Sequence, residues 1–139
     1  MIVLDTNVVS ELMKVEPSKV VADWIAHQPV TSLYTTSVTQ AEILHGILLL
    51  PSGKRRGALE AAAEAMFEED FGGRVLPFGS EAARAYAEIA AQRRRSGRPI
   101  SQFDAQIAAV ARSVRAAVAT RNVSDYEGCG IRILNPWDA

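Results

Sequence analysis

Three acids carry the chemistry available to this chain. Asp5 follows the apolar run Met1-Ile2-Val3-Leu4 and precedes Thr6 and Asn7. Glu42 and Asp104 stand early in two later amphipathic stretches. In open α/β sheets, ligands bind just outside the carboxyl ends of the strands. An acid that closes a short buried strand faces such a mouth, and acids at helix starts can reach the same place. Three carboxylates from separate elements can converge on one divalent cation. Magnesium prefers a few carboxylates plus waters to a closed protein cage, and the triplet matches that preference. Asn122 follows Ala119-Thr120-Arg121 and takes a strand-end position comparable to that of Asp5, but its amide brings no charge. Asp125, in the following loop, supplies one.

Each acid also has a plain structural explanation. Asp5 can end a strand as an Asx turn, since Asp side chains bond nearby backbone amides. Thr39-x-x-Glu42 has the form of a capping box. Asp104 follows Ser101 near a helix start, where an acid gains about 0.3–1 kcal/mol from the helix dipole. Asp125 reads equally well as a solvated loop acid. Singly, capping is the simpler account of Glu42 and Asp104. Jointly, the acids fall at strand ends or helix starts, as a shared ligand site requires.

The elements that must position them alternate along the chain. Strands are expected at Met1 to Leu4, Ser32 to Thr36, Arg74 to Phe78, Ala116 to Thr120 and Ile131 to Leu134. Helices are expected from Pro17 to about Gln28, from Ser37 or Thr39 to Leu50, from Arg56 to Asp70, and from a Ser80 cap to near Gly97. Ser101 caps one more, with Phe103, Ile107, Val110 and Val114 at helical spacing. Alternating strands and helices predict an α/β fold whose mostly parallel sheet is covered on both faces. The surplus of helices predicts a helical hairpin or cap beside the sheet. No linker divides the 139 residues, so residues 1–139 form one domain.

Composition narrows the class. The chain is 48% hydrophobic and 22% charged with net charge −1, which suits a globular protein and announces no polyanion partner by charge alone. Its one cysteine, Cys129, lies between two glycines and reads as a small turn residue. A single cysteine excludes an internal disulfide and suits a reducing compartment. No apolar run approaches the roughly 18 residues of a membrane span, and no basic leader opens the chain. A cytoplasmic location without membrane association is expected.

Other readings compete. Aspartate phosphatases want a second Asp two residues after the first, where Asn7 stands. No lysine follows a later strand as a receiver domain requires. Glu42-Ile43-Leu44-His45 has the spacing of a di-iron helix, but the second copy is missing. No phosphate-cradling glycine loop or nucleophile elbow is present. A non-catalytic partner-binding module stays open, because Asn122 weakens the constellation.

The residues taken in order resemble a known family. Asp5-Thr6-Asn7, Ala41-Glu42, Asp104 and Thr120-Arg121-Asn122 look like a PIN-domain ribonuclease. The ending Ile133-Leu134-Asn135-Pro136-Trp137 is similar to that of VapC-type toxins, including the FitB-like branch. The resemblance implies a PIN-like α/β/α sandwich with a central parallel sheet. It implies Mg2+- or Mn2+-dependent cleavage of RNA phosphodiester bonds, leaving 5′-phosphate and 3′-hydroxyl ends. It implies a toxin of a toxin–antitoxin pair, neutralised by a cognate VapB-type antitoxin in a hetero-oligomer. Asp5, Glu42 and Asp104 match the family's catalytic and metal-binding acids. Thr6 and Thr120 match supporting hydroxyls. The fourth acidic position falls on Asn122, which leaves open whether Asn122 or Asp125 supplies a fourth metal contact.

A polyanionic substrate needs cations outside the acidic site. Arg121 is nearest in sequence; Arg94 and Arg98 belong to a second basic cluster that can equally serve as a helix C-terminal cap. The stretch from Val38 to Leu50 carries Ile43, Leu44, Ile47, Leu48, Leu49 and Leu50. One core needs one apolar stripe, so part of this helix should meet a second copy, in a homodimer, or lie beneath the chain's own helical hairpin.

Overall fold

The computed structural model describes residues 1–139. Strands β1 (Ile2–Leu4), β2 (Leu33–Thr36), β3 (Val75–Leu76), β4 (Ala117–Ala119) and β5 (Ile133–Leu134) form one all-parallel sheet. Their order is β3-β2-β1-β4-β5. The chain therefore winds outward from β1 in one direction, then returns to β1's other side. The gap between the ends of β1 and β4 is the switch point at which α/β sheets bind ligands. Register brings Leu4 opposite Ala119, so the residues after each strand meet.

Seven helices cover the sheet. α1 (Thr6–Leu12), α2 (Lys19–Ala26), α3 (Ser37–Leu48) and α4 (Lys54–Ala65) supply most of one face. Their Val8, Val9, Val21, Ile43, Ile47 and Ala63 pack with Leu4 and Leu33. On the other face lie α5 (Ser80–Arg95), α6 (Gln102–Ser113) and α7 (Val123–Tyr126). There Ile89, Ile107, Ala108 and Tyr126 pack with Val3 and Val118. Val3 and Leu4 enter opposite cores because successive strand residues point to opposite faces. The expected hairpin is α3 with α4, and its apolar side is continuous with the core. No helix is long and apolar enough to cross a membrane.

Several local expectations are corrected. The sequence reading assigns no element to Thr6 to Leu12; it is a helix with Asp5 at its N-cap. Val, Thr, Asn and Ser are weak helix formers, but full burial of Val8 and Val9 outweighs that preference. Of the two starts expected for α3, Ser37 is the one taken, and Thr36 caps it by accepting the Thr39 amide at 3.0 Å. Thr39 lies inside α3 rather than at its cap, so no Thr39–Glu42 capping box forms. Gly79 stands at the N-cap expected of Ser80. Phe103 leaves the predicted stripe and is 53% exposed. Small residues replace it: Ala105, Ala108 and Ala109 are buried. The end of α4 widens into a π turn, Met66–Asp70, in which the Phe71 amide bonds the Met66 carbonyl at 2.9 Å. Gly72 is required there, since a Cβ would lie 2.9 Å from the Glu68 carbonyl oxygen.

Candidate active site

Asp5 is the joint between β1 and α1. Its amide donates to the Ala119 carbonyl at 2.9 Å, continuing the ladder with β4. Its carboxylate is 4% exposed. One oxygen accepts the Thr6 amide at 2.7 Å; the other accepts the Thr120 hydroxyl at 2.8 Å. Thr120 Oγ1 in turn accepts the Asn7 side-chain amide at 3.2 Å and the Asn122 backbone amide at 3.1 Å. Asn7 Oδ1 accepts the Arg121 amide at 3.3 Å. Two strand ends are thus stitched together around one carboxylate. Burial pushes the Asp5 carboxyl above its ordinary value, and the charge of Asp104 adds to this. Hydrogen bonds from Thr120, Thr6 and Tyr126 oppose the rise.

Glu42 arrives from the second turn of α3 and is half-buried. Its Oε1 accepts the Thr6 hydroxyl at 2.9 Å, and Thr6 Oγ1 lies 3.0 Å from Thr39 Oγ1. Asp104 arrives from the first turn of α6, where Ser101 caps the helix by accepting the Asp104 amide at 3.2 Å. The dull reading of Ser101 is therefore true, and it frees the Asp104 side chain to face the cleft. Asp104 Oδ1 accepts the Tyr126 hydroxyl at 3.4 Å. Burial, then the charges of Asp5 and Asp104, drives the Tyr126 hydroxyl far above its ordinary value, so it stays protonated.

Asp5, Thr6, Glu42, Asp104 and Asn122 line one cleft of about 460 Å³ at the switch point. Lys14, Arg121 and Trp137 also line it. Lys14 is taken up by Glu11 at 2.9 Å, whose carboxyl this bond holds below its ordinary value. Arg121 makes no ion pair, and its guanidinium sits 5.2 Å from the centre of the Trp137 ring. The acidic oxygens are hard donors of the kind that magnesium and manganese accept. No three carboxylate, imidazole or thiol groups are arranged to hold an ion by themselves. An ion here would keep several waters, as magnesium commonly does.

Comparison with known proteins decides the family. The PIN domain family model matches residues 2–124. The chain belongs to the PIN-domain family. Among its relatives, the VapC ribonuclease Y4jK of Sinorhizobium fredii is 44% identical over 99% of each chain. The toxin FitB of Neisseria gonorrhoeae is 34% identical, again over 99% of each. The crystal structure of FitAcB from the same organism superposes with a TM-score of 0.93 at 34% identity, covering 100% of both chains.

This PIN domain does not bring every expected residue to the cleft. Asp125 is exposed on α7 and lies outside it, so only Asn122 stands at the fourth position. Arg98 lies 3.4 Å from Glu127, and neither it nor Arg94 lines the cleft. The basic run instead yields a structural residue: Arg93 is buried and bonded to three carbonyls. Sequence reasoning missed Asn7, Tyr126 and Trp137. Asn7 sits two residues after Asp5 and carries a signal only once α1 is known to be a helix. Tyr126 lies in α7, which the sequence presents as a loop.

Proposed function

We propose that this PIN domain is a Mg2+- or Mn2+-dependent ribonuclease that acts as the toxin of a toxin–antitoxin pair. The supporting observation is the convergence of Asp5, Glu42 and Asp104, from three elements, on the cleft at the switch point. The VapC ribonuclease and FitB relatives support the substrate class and the toxin role. A bare acidic cleft repels a phosphodiester; a bound divalent ion would reverse that local charge and polarise the scissile phosphate. The chain's own residues prepare for this. Thr120 and the Thr6 amide aim the two Asp5 oxygens. The Thr6 hydroxyl turns Glu42 toward the cleft, where its free oxygen can orient an attacking water and take its proton. Arg121, unpaired and backed by the Trp137 ring, is the cation available to grip a neighbouring phosphate.

A toxin must be silenced in its own host. Beside the cleft runs a groove of about 710 Å³ lined by Met13, Ile43, Ile47, Leu50 and Leu59, and it shares Thr6 and Glu42 with the acidic site. A VapB-type antitoxin tail would lay apolar residues in this groove and place an arginine among the carboxylates, where a guanidinium fork matches them. Leu48 and Leu49, 56% and 71% exposed, extend the apolar end of α3 and suit a second copy of the chain.

The deciding experiment is RNA cleavage by purified protein. Mg2+ or Mn2+ should support it and EDTA should stop it. Asp5→Asn, Glu42→Gln and Asp104→Asn should each cost about 10²-fold or more with the fold intact. Wild-type rates in all three variants would overturn the reading. Expressed alone, the wild type should arrest growth and Asp5→Asn should not; co-expression of its antitoxin should restore growth.

A further inference from the structure

Tyr126 is the largest fully buried side chain of the protein. A phenylalanine would fill the same volume. What the tyrosine adds is one hydroxyl, delivered from the core to Asp104, which lines the cleft. That hydroxyl donates to Asp104 at 3.4 Å and also favours the charged form of Asp5. It touches Asp104, on α6, and stands close enough to Asp5, after β1, to favour that carboxylate's charge.

The backbone that carries Tyr126 is held on both sides by a single group. The guanidinium of Arg93, from α5, donates through Nη1 to the carbonyl of Asp125 at 2.9 Å and to that of Glu127 at 3.0 Å. Its Nε donates to the Arg98 carbonyl at 2.7 Å. Arg93 is itself 6% exposed and pairs with no carboxylate. A buried cation that bonds both peptide carbonyls flanking one residue fixes where that residue stands.

We propose that Tyr126 is a positioning residue that sets Asp104 against Asp5 for a divalent cation, with Arg93 as the clamp that holds it there. The proposal rests on the cation site proposed above. Tyr126 donates to Asp104, whose charge acts against that of Asp5, and so fixes one of two carboxylates that repel each other. Removal of a group that orients a metal-binding side chain commonly costs about 10–100-fold in metal affinity.

The test is Mn2+ binding, read by calorimetry and by the paramagnetic resonance of free Mn2+, on the full chain. Tyr126→Phe should keep its circular dichroism, weaken Mn2+ binding by about tenfold, and regain RNA cleavage when Mn2+ is raised by the same factor. Arg93→Lys keeps the charge but breaks the fork, and it should shift Mn2+ affinity in the same direction. Unchanged Mn2+ affinity in Tyr126→Phe, beside a wild type that binds and an Asp5→Asn that does not, would reduce Tyr126 to a core filler and overturn the proposal alone. Unchanged affinity in Arg93→Lys would remove the clamp. A wild type that binds no Mn2+ would overturn the cation site and this proposal with it.

Discussion

Replacing Thr120 with valine removes one hydroxyl from the centre of the site and little else. Thr120 is fully buried, and its Oγ1 donates to Asp5 at 2.8 Å while accepting from Asn7 and Asn122. A hydrogen bond to a charged group contributes about 1.5–3 kcal/mol. The two orphaned donors belong to Asn7 and Asn122, which line the open cleft within reach of water, so they add little. The new methyl group returns about 0.8 kcal/mol of burial. The net loss is about 1–2 kcal/mol, which lowers the melting temperature by roughly 3–7 °C in a chain of this length. This loss should depend on pH. Burial already raises the Asp5 carboxyl from its ordinary value of 3.8, and the Thr120 bond opposes that rise. Without it the folded carboxyl rises further. A group raised by folding contributes stability that is present below its unfolded value and lost as pH rises through its folded value. The valine variant should thus lie nearest the wild type in acid and fall furthest behind above the raised folded value. Urea unfolding in EDTA from about pH 4 to about pH 8 measures both stabilities, with equal slopes against denaturant expected. A loss below about 0.5 kcal/mol near neutrality, or one that does not grow with pH, would show that Thr120 does not sustain the Asp5 charge.

Three further outcomes are expected. Arg93→Ala leaves the carbonyls of Arg98, Asp125 and Glu127 without their donor; it should cost about 3–4 kcal/mol in urea unfolding, and a loss under about 1 kcal/mol would refute the bonding described. Arg121→Ala should weaken binding of a fluorescent RNA to metal-free protein and reduce the slope of log affinity against log salt by about 1; an unchanged slope would place Arg121 away from phosphate. Wild-type protein should sediment as a dimer at micromolar concentration and Leu49→Glu as a monomer, whereas a monomeric wild type would assign the exposed end of α3 to another partner.

How far the sequence could be read depended on whether the signal was local. Strands and helices alternate visibly, because period-two and period-3.6 patterns are written in neighbouring residues. The parallel sheet and the places of the cleft acids Asp5, Glu42 and Asp104 were legible for that reason: each acid follows an apolar run or a cap. Helix α1 was hidden because its residues disfavour helix in isolation, and only burial of Val8 and Val9 against the sheet makes it form. Helix α7 was hidden by its four-residue length.

What only the tertiary structure decided is which side chains share the cleft. Asp125 carries the charge that Asn122 lacks, yet it points from an exposed face while Asn122 lines the site. The Arg93 to Arg98 run looks like a basic surface, yet Arg93 turns inward to peptide carbonyls in a segment more than 30 residues away. Thr6 and Glu42, and Asp5 and Thr120, meet across 36 and 115 residues of chain. Such pairings follow from the β3-β2-β1-β4-β5 strand order and its register. Sheet order is settled by which apolar faces bury each other, a sum over the whole chain that no window of sequence contains. Residue type and spacing determined the chemistry this protein can do; the closing of the sheet at β1 and β4 determined which residues do it together.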